Sequence, residues 1–161
     1  MADSQANRTP FPNQLVGASS PDAGPPRRSS FIRLRPQTAI PRPDLAGSRR
    51  VVPETAAVFL VDPEGYRRRV PNSMTYNRLF RSWHDVVDDA NMEEIAERPE
   101  FTTGAMLVRG EVSPAIFLLD HAVKRWVVSD AALEKYWFNV DRVFVVGQSL
   151  IDRIPNGPPW R

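Results

Sequence analysis

At 161 residues the chain is long enough for one ordinary domain or two small ones. It contains no cysteine, which excludes disulfides, thiolate nucleophiles and cysteine-ligated zinc. Its net charge of +2 is unevenly spread: residues 1–52 carry eight Arg against three Asp, whereas residues 53–161 carry 13 Lys and Arg against 16 Asp and Glu.

The 16 prolines are about twice the usual ~5% share, and eight of them lie in residues 1–52 with six serines. So little apolar surface cannot offset the ~1–2 kcal/mol of backbone entropy that each ordered residue loses. Residues 1–52 are therefore expected to be a disordered, basic, proline-rich tail. Within it Phe31-Ile32-Arg33-Leu34-Arg35 alternates like a short strand or a peptide that adds to a sheet edge. Arg27, Arg28, Arg33 and Arg35, followed by Arg42, Arg49 and Arg50, are candidates for contacting the phosphates of nucleic acid or an anionic membrane surface. Their spacing by proline and serine also suits a solvated linker, or a tail that docks on the acidic body. The first twenty residues hold no apolar segment of signal-peptide type. Apolar runs such as residues 115–119 and 143–146 are too short to span a membrane, which needs about 20 residues. A cytoplasmic protein is the default expectation.

The body, residues 53–161, states one pattern twice. Val58-Phe59-Leu60-Val61-Asp62, three residues, then Tyr66-Arg67-Arg68-Arg69-Val70 recurs as Ile116-Phe117-Leu118-Leu119-Asp120, two residues, then Val123-Lys124-Arg125-Trp126-Val127. An internal repeat ranks above any single-residue motif in reading architecture. Asp62-Pro63-Glu64-Gly65 suits a type I turn followed by a left-handed glycine, which pairs Leu60 with Arg68 and Val58 with Val70. A two-residue turn at His121-Ala122 pairs Asp120 with Val123, Leu118 with Arg125 and Ile116 with Val127, although His-Ala is a poor choice where positive φ is needed. Asn72 or Ser73 then caps a helix over residues 74–80, and Ser129 or Asp130 caps one over 131–137. Residues 88–97 form the weaker first-unit counterpart of a strand at 142–146 and a short helix at 149–153. Residues 105–109 read as a strand leading into the second hairpin.

The expected fold is α+β: two tandem units of about 50 residues, 55–103 and 104–161, each a β-hairpin, a helix and a further strand, packed as one domain. The segments Val123-Lys124-Arg125-Trp126-Val127, Tyr136-Trp137-Phe138, Val143-Phe144-Val145-Val146 and Ile154-Pro155-Asn156-Gly157-Pro158 resemble tandem repeats of uncharacterised bacterial proteins, some of them surface-associated. Asp62-Pro63-Glu64-Gly65-Tyr66 through Asn72 is similar to the first unit of such pairs. The resemblance implies an interaction module made of repeats. It departs at His121-Ala122, where Asn-Gly is typical.

Arg68 and Arg125 occupy equivalent places. Each is read either as a stem packed on its sheet with its head on Asp62 or Asp120, or as a guanidinium fork held for a carboxylate, phosphate or sugar hydroxyl. Trp126 beside Lys124, together with Tyr136, Trp137 and Trp83, is read either as core or as a platform for a sugar ring or an unstacked base. Asp89, Asn91, Glu93 and Glu100 match positions 1, 3, 5 and 12 of a calcium loop, but Glu94 stands where that loop requires glycine, so no metal site is assigned. Gly147-Gln148-Ser149 lacks the second glycine of a nucleophile elbow, and no glycine loop is present to cradle phosphate. No cofactor and no enzymatic activity are expected. The reading is a non-enzymatic binding or scaffolding module for a protein or glycan. Its alternative is a nucleic-acid or anionic-surface binder that uses the tail.

Overall fold

The first strand of the structure lies where composition pointed to a tail. The computed structural model describes residues 38–161, so Arg27, Arg28, Arg33, Arg35 and the alternating segment at 31–35 lie outside the described residues. A 3-10 turn at Pro43–Leu45 leads into β1, Arg49–Val52. The assignment of residues 38–52 to a disordered tail is thereby corrected.

Strands β2 (Ala57–Val61) and β3 (Arg67–Val70) form the first hairpin, with Val58 opposite Val70 and Leu60 opposite Arg68. Gly65 closes its loop at φ +87°, and the Gly65 carbonyl accepts a hydrogen bond from Arg42 N–H at 2.8 Å. A Cβ at Gly65 would stand 2.2 Å from the Pro43 nitrogen, so both the dihedral angle and the close approach demand glycine. Pro71 ends the strand, and Asn72 accepts from Thr75 N–H at 2.8 Å to cap α1, Ser73–Leu79. Then come β4 (Val86–Asp88) and a 3-10 turn at Met92–Glu94, where a weaker element was expected over 88–97.

The second half opens with β5 (Met106–Gly110), followed by the hairpin of β6 (Ile116–Asp120) and β7 (Val123–Trp126). Leu118 faces Arg125 and Asp120 faces Val123, in the expected register. His121 and Ala122 take φ of +51° and +58°, the left-handed pair that a two-residue turn requires. Ser129 caps α2 (Asp130–Lys135), and Trp137 at φ +57° stops the chain from continuing as helix. A 3-10 turn at Val140–Arg142 precedes β8 (Phe144–Val146) and α3 (Gln148–Arg153).

The strands form two four-stranded sheets, ordered β3-β2-β1-β4 and β7-β6-β5-β8. In each, the first three strands are antiparallel neighbours and the last lies parallel to its partner. Chain segments cover the outer edges of both hairpins. Arg67 N–H bonds to the Ala96 carbonyl and Phe101 N–H to that of Arg69, while Lys124 N–H bonds to the Pro155 carbonyl and Trp160 N–H to that of Trp126. Edges so paired offer no template for another strand.

One apolar cluster joins both halves: Leu60, Val70, Tyr76, Leu79, Phe80 and Phe101 pack with Leu107, Leu118, Val127, Tyr136, Phe138 and Trp160. At the ends of α1 and α2 the backbone itself is stitched, with Arg81 N–H on the Trp137 carbonyl at 3.0 Å and Asn139 N–H on that of Leu79 at 2.8 Å. Arg49 is 1% exposed and lies opposite Leu60, where Leu107 lies opposite Leu118 in the second sheet. Its guanidinium donates to Tyr76 Oη and to the Ser82 and His84 carbonyls, and stands 4.6 Å from the Trp137 ring centroid. A cation this deep is tolerated only because these acceptors replace water.

Arg49→Ala opens a cavity and strips the His84 carbonyl of its donor, so a loss of about 2 kcal/mol or more is expected in denaturant unfolding. Arg49→Leu is expected to recover only part of it, since the carbonyl stays without a partner. Burial raises the phenol pKa of both Tyr76 and Tyr136 above the ordinary value. The folded state then holds protons that the unfolded chain releases above pH ~10, so stability falls as pH rises through that range. Tyr136→Phe is expected to flatten this alkaline slope, as read from midpoints at pH 8 and above.

Candidate functional site

Both hairpins turn at an aspartate, and the two turns lie beside one another. Asp62 follows the last residue of β2, and its Oδ1 accepts from Glu64 N–H at 3.1 Å and Tyr66 N–H at 2.9 Å, which holds the three-residue loop. Asp120 ends β6, and its Oδ1 accepts from Thr102 N–H at 2.9 Å and Thr102 Oγ1 at 3.0 Å. The other oxygen of Asp120 accepts from the Arg68 guanidinium at 2.6 Å. Arg68 thus pairs with the aspartate of the other hairpin, not with the one on its own. Their side chains are 6% and 0% exposed. Arg68 Nε also donates to the Pro99 carbonyl at 3.1 Å, and the guanidinium lies 4.3 Å from the Phe101 ring centroid. These added bonds offset the desolvation that otherwise cancels much of a buried pair's attraction.

Above this pair a pocket of about 290 Å³ opens between the turns. Pro63, Pro99, Pro158, Pro159 and Trp160 supply rigid apolar walls, and Asp62, Glu64, Arg68, Arg98, His121 and Arg125 supply the polar groups. Arg98 takes two carboxylates at once, Glu64 at 2.8 Å and Asp62 at 3.1 Å, and lies over the Tyr66 ring. His121 Nε2 is 2.8 Å from the Glu100 carbonyl. The stem of Arg125 packs over Gly157, where a Cβ would come within 3.0 Å of it. Its guanidinium makes one long contact, 3.5 Å to the Asp120 carbonyl, and no ion pair with a carboxylate among the described residues. Burial and then the neighbouring Arg68 push the Arg125 pKa below its ordinary value. Burial raises that of Asp62, against its backbone hydrogen bonds and Arg98.

Of the residues singled out from sequence, Arg68 and Arg125 meet at this pocket. Lys124 and Tyr136 do not. Lys124 is 7% exposed and donates to the Ile151 carbonyl beside the Phe117 ring, and Tyr136 is fully buried with its hydroxyl on the Arg161 carbonyl at 2.7 Å. Trp126 is 49% exposed, between one cleft lined by Ile116 and Leu133 and another lined by Phe117 and Asn156. Arg125, Trp126 and Tyr136 therefore share no common surface, because neighbours on a strand point to opposite faces. Sequence reasoning missed Arg98, His121 and the prolines. A signal was present in the prolines late in each half, Pro99 and Pro158-Pro159, all of which line the pocket. Arg42, Arg49 and Arg50, grouped with the tail's phosphate-binding candidates, are engaged elsewhere: Arg42 with Asp44, Arg49 in the core and Arg50 with Asp89.

Comparison with protein-family models, with curated proteins and with solved structures finds no match for this chain.

Removing one partner of the buried pair leaves a bare charge. Asp120→Ala is expected to cost about 3–5 kcal/mol in denaturant unfolding, and Asp120→Ala with Arg68→Leu to cost less than the first change alone.

Proposed function

We propose that this chain is a non-enzymatic binding or scaffolding module, built from two tandem repeats, whose ligand is received in the pocket between the two hairpin turns. The repeat reading is supported by the common strand order of the sheets, the helix caps at Asn72 and Ser129, and the edge-covering segments that bring Phe101 and Trp160 to matching places. Clefts add to it: Thr55, Ala57, Val58, Val70, Asn72 and Tyr76 line one, and their counterparts Ser113, Ala115, Ile116, Val127, Ser129 and Leu133 line another. The likeness to bacterial tandem repeats is in keeping with this, with the first unit extended to include β1.

The observation that carries the binding site is the difference between two equivalent arginines. Arg68 is held by Asp120, whereas Arg125 presents its fork to the pocket without a carboxylate among the described residues. The non-catalytic reading is in keeping with carboxylates already engaged by Arg98, Arg68 and backbone N–H groups. The nucleic-acid alternative retains only arginines outside the described residues, because Arg42, Arg49 and Arg50 have partners in the fold.

Titration of the full chain with a mixed set of charged and neutral fragments, followed by backbone amide resonances, is expected to shift Glu64, Arg98, His121, Arg125 and Trp160 first. Shifts centred on the Trp126 clefts, with these residues unmoved, would reject the pocket as the site.

A further inference from the structure

The charges at the pocket balance in number but not in placement. Arg68, Arg98 and Arg125 face Asp62, Glu64 and Asp120, yet two of these carboxylates converge on Arg98, one is buried on Arg68, and none forms an ion pair with Arg125. A guanidinium offers five N–H donors in a planar fork, and the long contact to the Asp120 carbonyl uses one of those of Arg125. The deficit at this point is one anionic group that accepts in a plane. A carboxylate has that geometry and charge. A phosphate dianion would add a second negative charge within the field of Glu64 and Asp62, while Arg68 and Arg98 are already held by carboxylates.

The walls define the rest of the ligand. Pro63, Pro99, Pro158 and Pro159 have no backbone N–H to donate, and Trp160 is 2% exposed and contributes an apolar surface. Sugar hydroxyls placed against them would lose water without finding partners, which disfavours an acidic sugar. A volume of about 290 Å³ is at the small end of ligand pockets and suits a body of one or two residues' size. A Cβ at Gly157 would stand 3.0 Å from Arg125 Cγ, so glycine at this position leaves room for the Arg125 stem.

We infer that the pocket between the hairpin turns binds a monoanionic carboxylate carried on a compact apolar body, with the carboxylate on the Arg125 fork and the body against the proline walls. This deepens the reading of the pocket as the ligand site and rests on it. The carboxylate can belong to a small free acid or to the terminal residue of a peptide, and the chemistry at Arg125 is the same in both.

The test compares N-acetylalanine, N-acetylalaninamide, glucuronate, inorganic phosphate and an N-acetylated tetrapeptide ending in alanine, each titrated into the full chain and read at the amides of His121, Arg125 and Trp160. N-acetylalanine is expected to bind at least tenfold more tightly than its amide, glucuronate or phosphate. Arg125→Leu is expected to abolish that preference and Arg125→Lys, which keeps the charge but not the fork, to reduce it. A tetrapeptide tenfold tighter than N-acetylalanine assigns the carboxylate to a peptide terminus, and equal affinity assigns it to a free acid. Equal binding of acid and amide at these same residues overturns the carboxylate inference while leaving the site in place. Tighter binding of phosphate or glucuronate does the same. If no probe moves these residues, the site reading itself fails. The comparison of acid with amide is made on the unaltered chain, so it stands even if a variant folds poorly.

Discussion

Arg68 reaches Asp120 only because the two sheets close over one shared interior. Each four-stranded sheet has an apolar face, contributed in the hairpins by Leu60 and Val70 or by Leu118 and Val127, and neither has a layer of its own large enough to cover it. The halves cover one another instead, with Phe80 against Phe138 and Phe101 against Trp160. That arrangement brings the aspartate at one turn to the arginine on the other hairpin, and water is excluded from the bond between them. Burial of this kind gives the pair its structural weight: each charge would be costly without the other.

Two alike hairpins joined in this way have unlike surroundings. Asp120 is supplied by Thr102 and Arg68, whereas Asp62 is supplied by its own loop and Arg98. Arg125 has the same position on its strand as Arg68, opposite the corresponding leucine, but meets the pocket in place of a carboxylate. The same divergence appears in the interior, where Arg49 and Leu107 sit opposite Leu60 and Leu118. A repeated pattern preserves where side chains point, and the partners they find are decided by the rest of the chain. The differences between the two hairpins accumulate where their turns meet.

Much of the ladder was legible in the chain alone. Alternating apolar residues and the turn residues around Asp62-Pro63-Glu64-Gly65 act over a few positions, and they determine which residues of β2 and β3 oppose each other. The caps at Asn72 and Ser129 are equally local, since a side chain accepts from an N–H three residues on. Even the His121-Ala122 turn, unfavourable in composition, is placed by the strands on either side of it. The expectation failed at β1. Its Arg-Arg-Val-Val sequence follows a proline-rich stretch, and nothing nearby indicates that Arg49 will find Tyr76 and the carbonyls of Ser82 and His84 some thirty residues away.

The amino-acid sequence by itself determined the mixed α+β character, both hairpins with their registers and the caps of the first two helices, because these follow from dihedral preferences and hydrogen bonds within short stretches of chain. Only the tertiary structure decided that Arg68 would bridge to the other hairpin, that Lys124 and Tyr136 would be buried, and that Arg98 would join Arg125 at a pocket. Those outcomes depend on which groups lose their water together, and residues far apart in the chain come under that constraint only once the two sheets have packed.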